Sequence, residues 1–183
     1  MRATCMVIVA LFFLVVSNLA IVISFATPYW IEFRNPVFHS GGNHHRGLWA
    51  YCDSSSCKWV FDNNFLIQKD LGVLIQVTQA LYSFGAVCGI LSLLIATIAL
   101  CCDCKCNAHK AVAILLILAV VFMSIGLVIY GIAMNKKYDA AITWNETSQA
   151  MICWSFWLGV GACVVSFFTA IIYAFESHVT SYN

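Results

Sequence analysis

The chain has 183 residues, of which 62% are hydrophobic and 9% charged, with a formal net charge of +1 and a mean hydropathy of +0.89. A soluble domain carries about 25% charged residues, so this composition excludes an ordinary soluble globular protein. The near-neutral balance also excludes a basic surface for nucleic acid and an acidic tail.

Four stretches, 3–31, 71–102, 111–135 and 147–175, hold no Asp, Glu, Lys or Arg. Each exceeds the ~20 apolar residues a helix needs to cross the ~30 Å hydrocarbon core. Lipid demands helices there, because backbone polar groups have to be satisfied within the segment. The expected architecture is a single membrane α-helical domain over 1–183. Its four spans run at about 5–28, 73–101, 111–134 and 150–175, with loops at about 29–72 and 135–149.

Arg2 precedes the first span as in a signal peptide. The apolar run is longer than the usual ~7–15-residue core, and Ala26-Thr27-Pro28 is a poor cleavage site, so an uncleaved anchor is expected. Asn18, strongly polar and deep in this span, is expected to hydrogen-bond another helix. The first loop opens on YWIEFR (29–34), which alternates as a strand. HSGGNHH (39–45) follows and reads as a solvated glycine-rich loop. His39, His44 and His45 show none of the usual metal-ligand spacings, so no metal is expected.

GLWAYCDSSSC (47–57) places four turn-forming residues between Cys52 and Cys57, a common hairpin length. If these cysteines face each other, the pairs continue as Tyr51/Lys58, Ala50/Trp59, Trp49/Val60 and Leu48/Phe61. Directly opposed residues can be close enough for a disulfide. One face then carries Cys–Cys, Ala–Trp and Leu–Phe and is expected to lie dry on the rest of the molecule; the other is mixed.

In the second span Gly85-x-x-x-Gly89 lets backbones approach closely, as does the stripe Ala162, Ser166, Ala170, Ala174 in the fourth. Packing inside the chain's own bundle is the expected use. The linker CCDCKC sets Cys101, Cys102, Cys104 and Cys106 at a membrane boundary, which suits palmitoylation better than metal binding. Tyr29, Trp30, Trp144, Trp154 and Trp157 are expected to form an interfacial aromatic belt.

Orientation sets one rule against three. Arg2, Lys105 and Lys110 lie on the side of the termini and linker, and six Lys and Arg lie on the side of the loops. The positive-inside rule taken alone would turn the protein over. Against it stand the sequon Asn145-Glu146-Thr147 in the second loop, the Cys52/Cys57 pair and the linker thiols. The expectation is a multi-pass plasma-membrane protein with both termini cytoplasmic, both loops outside and glycosylation at Asn145.

Trp30, then Gly47-Leu48-Trp49, then Cys52 and Cys57, resembles the W–GLW–C–C signature of the superfamily of claudins, peripheral myelin protein, epithelial membrane proteins and calcium-channel gamma subunits. IQVTQAL (75–81) is similar to the stretch where the first loop of those proteins re-enters the membrane. Residues 154–173 resemble their fourth helix, most of all the gamma-subunit version. The two cysteines stand closer together here than is usual in that group. The resemblance implies a left-handed four-helix bundle carrying a small extracellular antiparallel β-sheet, built mainly by the first loop with one strand from the second.

It also implies cell–cell contact, a junctional barrier or membrane organisation, through self-association. The alternative is an auxiliary subunit that binds an ion channel or receptor. Charge in each loop sums to zero, which disfavours a charge-selective pore. The tail ESHVTSYN ends in Asn183, a poor residue for a scaffold domain that captures a hydrophobic C-terminus. No H-E-x-x-H, G-x-S-x-G or phosphate-cradling loop is present, so no enzyme and no cofactor is expected. The partners expected are membrane lipid and other membrane proteins.

Overall fold

The computed structural model describes residues 5–33, 44–52, 56–61, 72–101, 108–138, 140 and 150–182. In chain order the elements are α1 (Cys5–Ala26), β1 (Ile31–Phe33), β2 (His44–Arg46), β3 (Ala50–Cys52), β4 (Cys57–Trp59), α2 (Val73–Cys101), α3 (Ala108–Tyr138), β5 (Ala150–Ile152) and α4 (Trp154–Tyr182). The four helices are long and apolar enough to span a membrane. Each packs on two neighbours: α2 on α3, α3 on α4, α4 on α1, and α1 more lightly on α2. Large apolar side chains such as Phe12, Ile98, Val128 and Phe168 point outward from all four helices, as lipid-facing positions require.

The bundle interior falls into two clusters. Near the sheet it holds large rings and long side chains, Trp30, Tyr82, Met123, Tyr130 and Phe156 among them. At the other end small residues, Ala10, Ala96, Ala113 and Ala170, interleave with Leu14, Leu116 and Tyr173. Gly85 and Gly89 serve the bundle itself. A side chain at Gly85 would run into Met123 and Ala119 of α3, and one at Gly89 would meet the Asn18 side chain of α1. Ala162, Ser166 and Ala170 are buried in the bundle, whereas Ala174 faces outward.

The strands form one antiparallel sheet in the order β4-β3-β2-β1-β5. β3 and β4 pair as Cys52↔Cys57, Tyr51↔Lys58 and Ala50↔Trp59. Helix α1 stops where Pro28 disfavours helix at the preceding residue, and Thr27 closes its last turn on the Ile23 carbonyl.

Several sequence expectations are corrected. Residues 150–152 form β5 on the edge of β1, and the fourth helix starts only at Trp154. A short apolar run suits strand or helix equally, and the open edge of β1 decides it. His44 and His45 are not in a solvated loop: in β2 both pair with β1, and His45 pairs with β3 as well. Trp30 is fully buried, so it is no part of an interfacial belt. Tyr29, Trp154 and Trp157 are exposed as that belt requires. Asn18 donates from Nδ2 to the Leu14 carbonyl of its own helix at 2.9 Å, while its buried Oδ1 has no partner.

Candidate functional site

The sheet is held to the bundle by the residues that the sequence singled out around Trp30 and Gly47. Trp30 packs edge-on against Tyr82, Tyr130 and Phe156 with ring centroids 5.2, 4.9 and 5.8 Å away. Its indole N–H donates to the Ser24 carbonyl at 2.7 Å. Such aromatic contacts add about 0.5–1.5 kcal/mol each beyond the area they bury, which makes Trp30 the wedge between β1 and three helices.

Around Trp30 the polar groups close on one another. The Tyr82 hydroxyl donates to Ser24 Oγ at 3.1 Å, and Ser24 Oγ donates to the Ser155 carbonyl at 2.8 Å. The hydroxyls of Thr27 and Ser155 lie 2.6 Å apart. The backbone N–H groups of Cys153 and Ser155 donate to the carbonyls of Trp30 and Tyr29. The first turn of α4, whose N–H groups have no partner within the helix, is thereby docked on the segment that leads into β1.

Gly47 lies where only hydrogen fits. A Cβ there would come 2.5 Å from the Thr27 carbonyl oxygen and 2.7 Å from Pro28 Cα. Leu48 is buried, and its carbonyl accepts a 2.6 Å hydrogen bond from the Gln79 side chain of α2. Trp49 lies between Phe25 of α1 and Phe61 beyond β4, at 5.4 and 5.5 Å. Phe25 in turn stacks on Tyr82 at 6.3 Å. A row of rings, Phe61–Trp49–Phe25–Tyr82, therefore runs from the open base of the hairpin into the bundle.

Cys52 and Cys57 are joined in a disulfide. Leu48, Ala50 and Cys52 supply the dry face expected of β3. The matching residues of the second strand do not: all of β4 is exposed, with Trp59 at 41% and Phe61 at 77%. The regular strand ends at Trp59, and Phe61 turns onto Trp49 instead of lying over Leu48. β4 is an edge strand, with Trp59 exposed on it and Phe61 exposed just beyond its end.

A second grouping was not legible in the sequence. Glu32 in β1, His45 in β2 and Cys153 after β5 each bring one potential ligand atom to the same place, all within 4.8 Å of one another. Burial, together with the charge of the adjacent Glu32, pushes the Cys153 thiol up to about 11.

Cys101 is an exposed free thiol at the end of α2. Cys102, Cys104, Cys106, His39, Trp144 and Asn145 lie outside the described residues. The sequence reading passed over Ser24, Gln79, Tyr82 and Ser155, which fasten the sheet. Their one signal in the sequence is polarity inside a charge-free run, and Gln79 lies within IQVTQAL (75–81).

Comparison with known proteins agrees with this architecture. The family model described as PMP-22/EMP/MP20/Claudin tight junction matches residues 15–175. The human lens fiber membrane intrinsic protein is 25% identical over 162 residues, covering 86% of this chain and 83% of that protein. With a family match reaching from α1 through all five strands to α4, the chain belongs to the PMP-22/EMP/MP20/claudin family of integral membrane proteins.

Proposed function

We propose that this protein mediates cell–cell contact, a junctional barrier or membrane organisation through its sheet, displayed outside the plasma membrane with both termini cytoplasmic. The observation that carries this reading is the outer strand β4. Its three residues are all exposed, Trp59 and Phe61 present apolar surface, and the Cys52–Cys57 disulfide clamps the hairpin behind them. An exposed strand edge with apolar side chains favours pairing with another chain. The signature residues Trp30, Gly47, Leu48 and Trp49 serve this function by fixing the hairpin to the bundle. Asn145 is the glycosylation site of the second loop, and Cys101, Cys102, Cys104 and Cys106 are palmitoylated on the opposite side of the membrane.

Junction-free cells expressing a tagged copy, mixed with cells lacking it, test the contact role. Enrichment only where two expressing cells touch supports self-adhesion. A uniform surface signal overturns it and turns the search toward a channel or receptor that this protein accompanies as an auxiliary subunit. A glycosidase-sensitive mass that vanishes in Asn145→Gln supports the orientation. Digestion of the loops by protease only after the cells are opened would overturn it.

A further inference from the structure

Each strand is pleated, so directly paired residues share a face and successive residues alternate. Lys58, Tyr51, Arg46, Ile31 and Ile152 make one row across the sheet, and Cys57, Cys52, His45, Glu32 and Met151 make the next. The basic residues Arg46 and Lys58 thus fall in the first row, on the face opposite His45 and Glu32. Cys153, two residues beyond Met151, returns to the face of Glu32 and His45.

These three side chains leave one another poorly satisfied. Cys153 Sγ lies 3.9 Å from Glu32 Oε2 and 3.6 Å from the Met151 carbonyl oxygen. His45 Nδ1 is sealed from solvent with no hydrogen-bond partner, and the ring lies against Tyr29 at 4.8 Å. Cys153 itself is buried. An unpaired buried polar atom in a folded protein calls for an explanation, and an ion is one of the few available.

We propose that Glu32, His45 and Cys153 bind one divalent cation of the zinc class, which staples β1, β2 and the β5–α4 junction together. The donor set selects that class. Thiolate and imidazole favour zinc over calcium and magnesium, which take oxygen ligands. Tetrahedral zinc, with bonds of about 2.0–2.3 Å, places its ligand atoms about 3.5 Å apart. The group is already within 4.8 Å and has to draw in by about an ångström at its widest. On binding, Cys153 releases its thiol proton to water and the imidazole binds in its neutral form. Thiolate and carboxylate then neutralise the two charges of the ion, as a partly buried site requires. Three protein ligands leave a fourth position for water or for a side chain of a second molecule.

The test uses the full chain purified in detergent, with Cys101, Cys102, Cys104 and Cys106 replaced by Ser, titrated with Co2+. The expected result is a thiolate-to-cobalt charge-transfer band that saturates at one ion per chain, is bleached by Zn2+ and is absent in Cys153→Ser. His45→Ala and Glu32→Gln keep the thiol and weaken binding by about tenfold or more, since the loss even of groups behind the ligands typically costs that much. No band at saturating Co2+, a band that persists in Cys153→Ser, or unchanged affinity in both His45→Ala and Glu32→Gln would overturn the site. The last comparison decides the matter even if Cys153→Ser fails to fold.

Discussion

The Gln79 side-chain amide donates to the Leu48 carbonyl at 2.6 Å, with both residues buried. It ties the first turns of α2 to the strand connection that carries the Gly-Leu-Trp triplet, 31 residues earlier in the chain. Gln79→Ala removes the donor and leaves that carbonyl buried without a partner, which costs about 1–3 kcal/mol. The expected outcome is a lower thermal midpoint for the purified protein in detergent, with helix content unchanged before melting.

Trp30 is fully buried among three rings and bonded to Ser24. Trp30→Ala is expected to cost about 3–5 kcal/mol, the range for truncating a large core aromatic. Trp30→Phe keeps much of the ring packing and loses the indole hydrogen bond, so its loss is smaller. Surface delivery measured by biotinylation should fall in the order wild type, Phe, Ala.

Gly47→Ala forces a methyl group against the backbone of Thr27 and Pro28. Backbone moves less readily than a side chain, so a penalty of about 1–3 kcal/mol is expected. Gly131→Ala is the control, because a Cβ built there meets nothing within 4 Å beyond its own helical backbone and chain neighbours. Folded yield should drop in the first variant and hold in the second.

Opening the disulfide should leave the bundle standing. Cys52 and Cys57 are five residues apart, and closing so short a loop contributes about 2 kcal/mol in the chain-entropy model. The bond fixes a hairpin whose edge strand β4 is exposed, so its loss frees β4 more than it weakens the helices. Cys52→Ser with Cys57→Ser is expected to retain the four spans by protease mapping and to lose enrichment at cell contacts.

Asn18 offers the opposite case. Its Nδ2 bonds within its own helix and its Oδ1 is unpaired, so it contributes no bridge between helices. Asn18→Ala is expected to change stability by less than about 1 kcal/mol, read from the thermal midpoint, within the range typical of polar groups in membrane bundles.

The four spans were legible in the sequence because lipid imposes a length and an apolarity that can be read along a single segment. The β3–β4 register was legible for a similar reason. Cys52 and Cys57 with their four intervening residues fix it locally, down to Ala50 opposite Trp59. Trp30 and Gly-Leu-Trp could be marked as important from the sequence, but not assigned a job.

Tertiary structure decided what depends on surfaces brought together from distant parts of the chain. His44–Arg46 has no strand pattern of its own and becomes β2 because β1 and β3 present hydrogen-bonding edges on either side of it. Ala150–Ile152 would continue a helix by composition, yet the free edge of β1 takes it as β5. Trp30 looked like an interfacial anchor until Tyr82, Tyr130 and Phe156 closed over it. Glu32, His45 and Cys153 belong to three segments with no common spacing, and only the pleat of the assembled sheet puts them on one face. Local rules of hydrophobic length and turn closure act within a few residues, so the sequence by itself determined the spans and the hairpin. Edge pairing and burial act between residues far apart in the chain, so the sheet order and its candidate site became visible only in the folded protein.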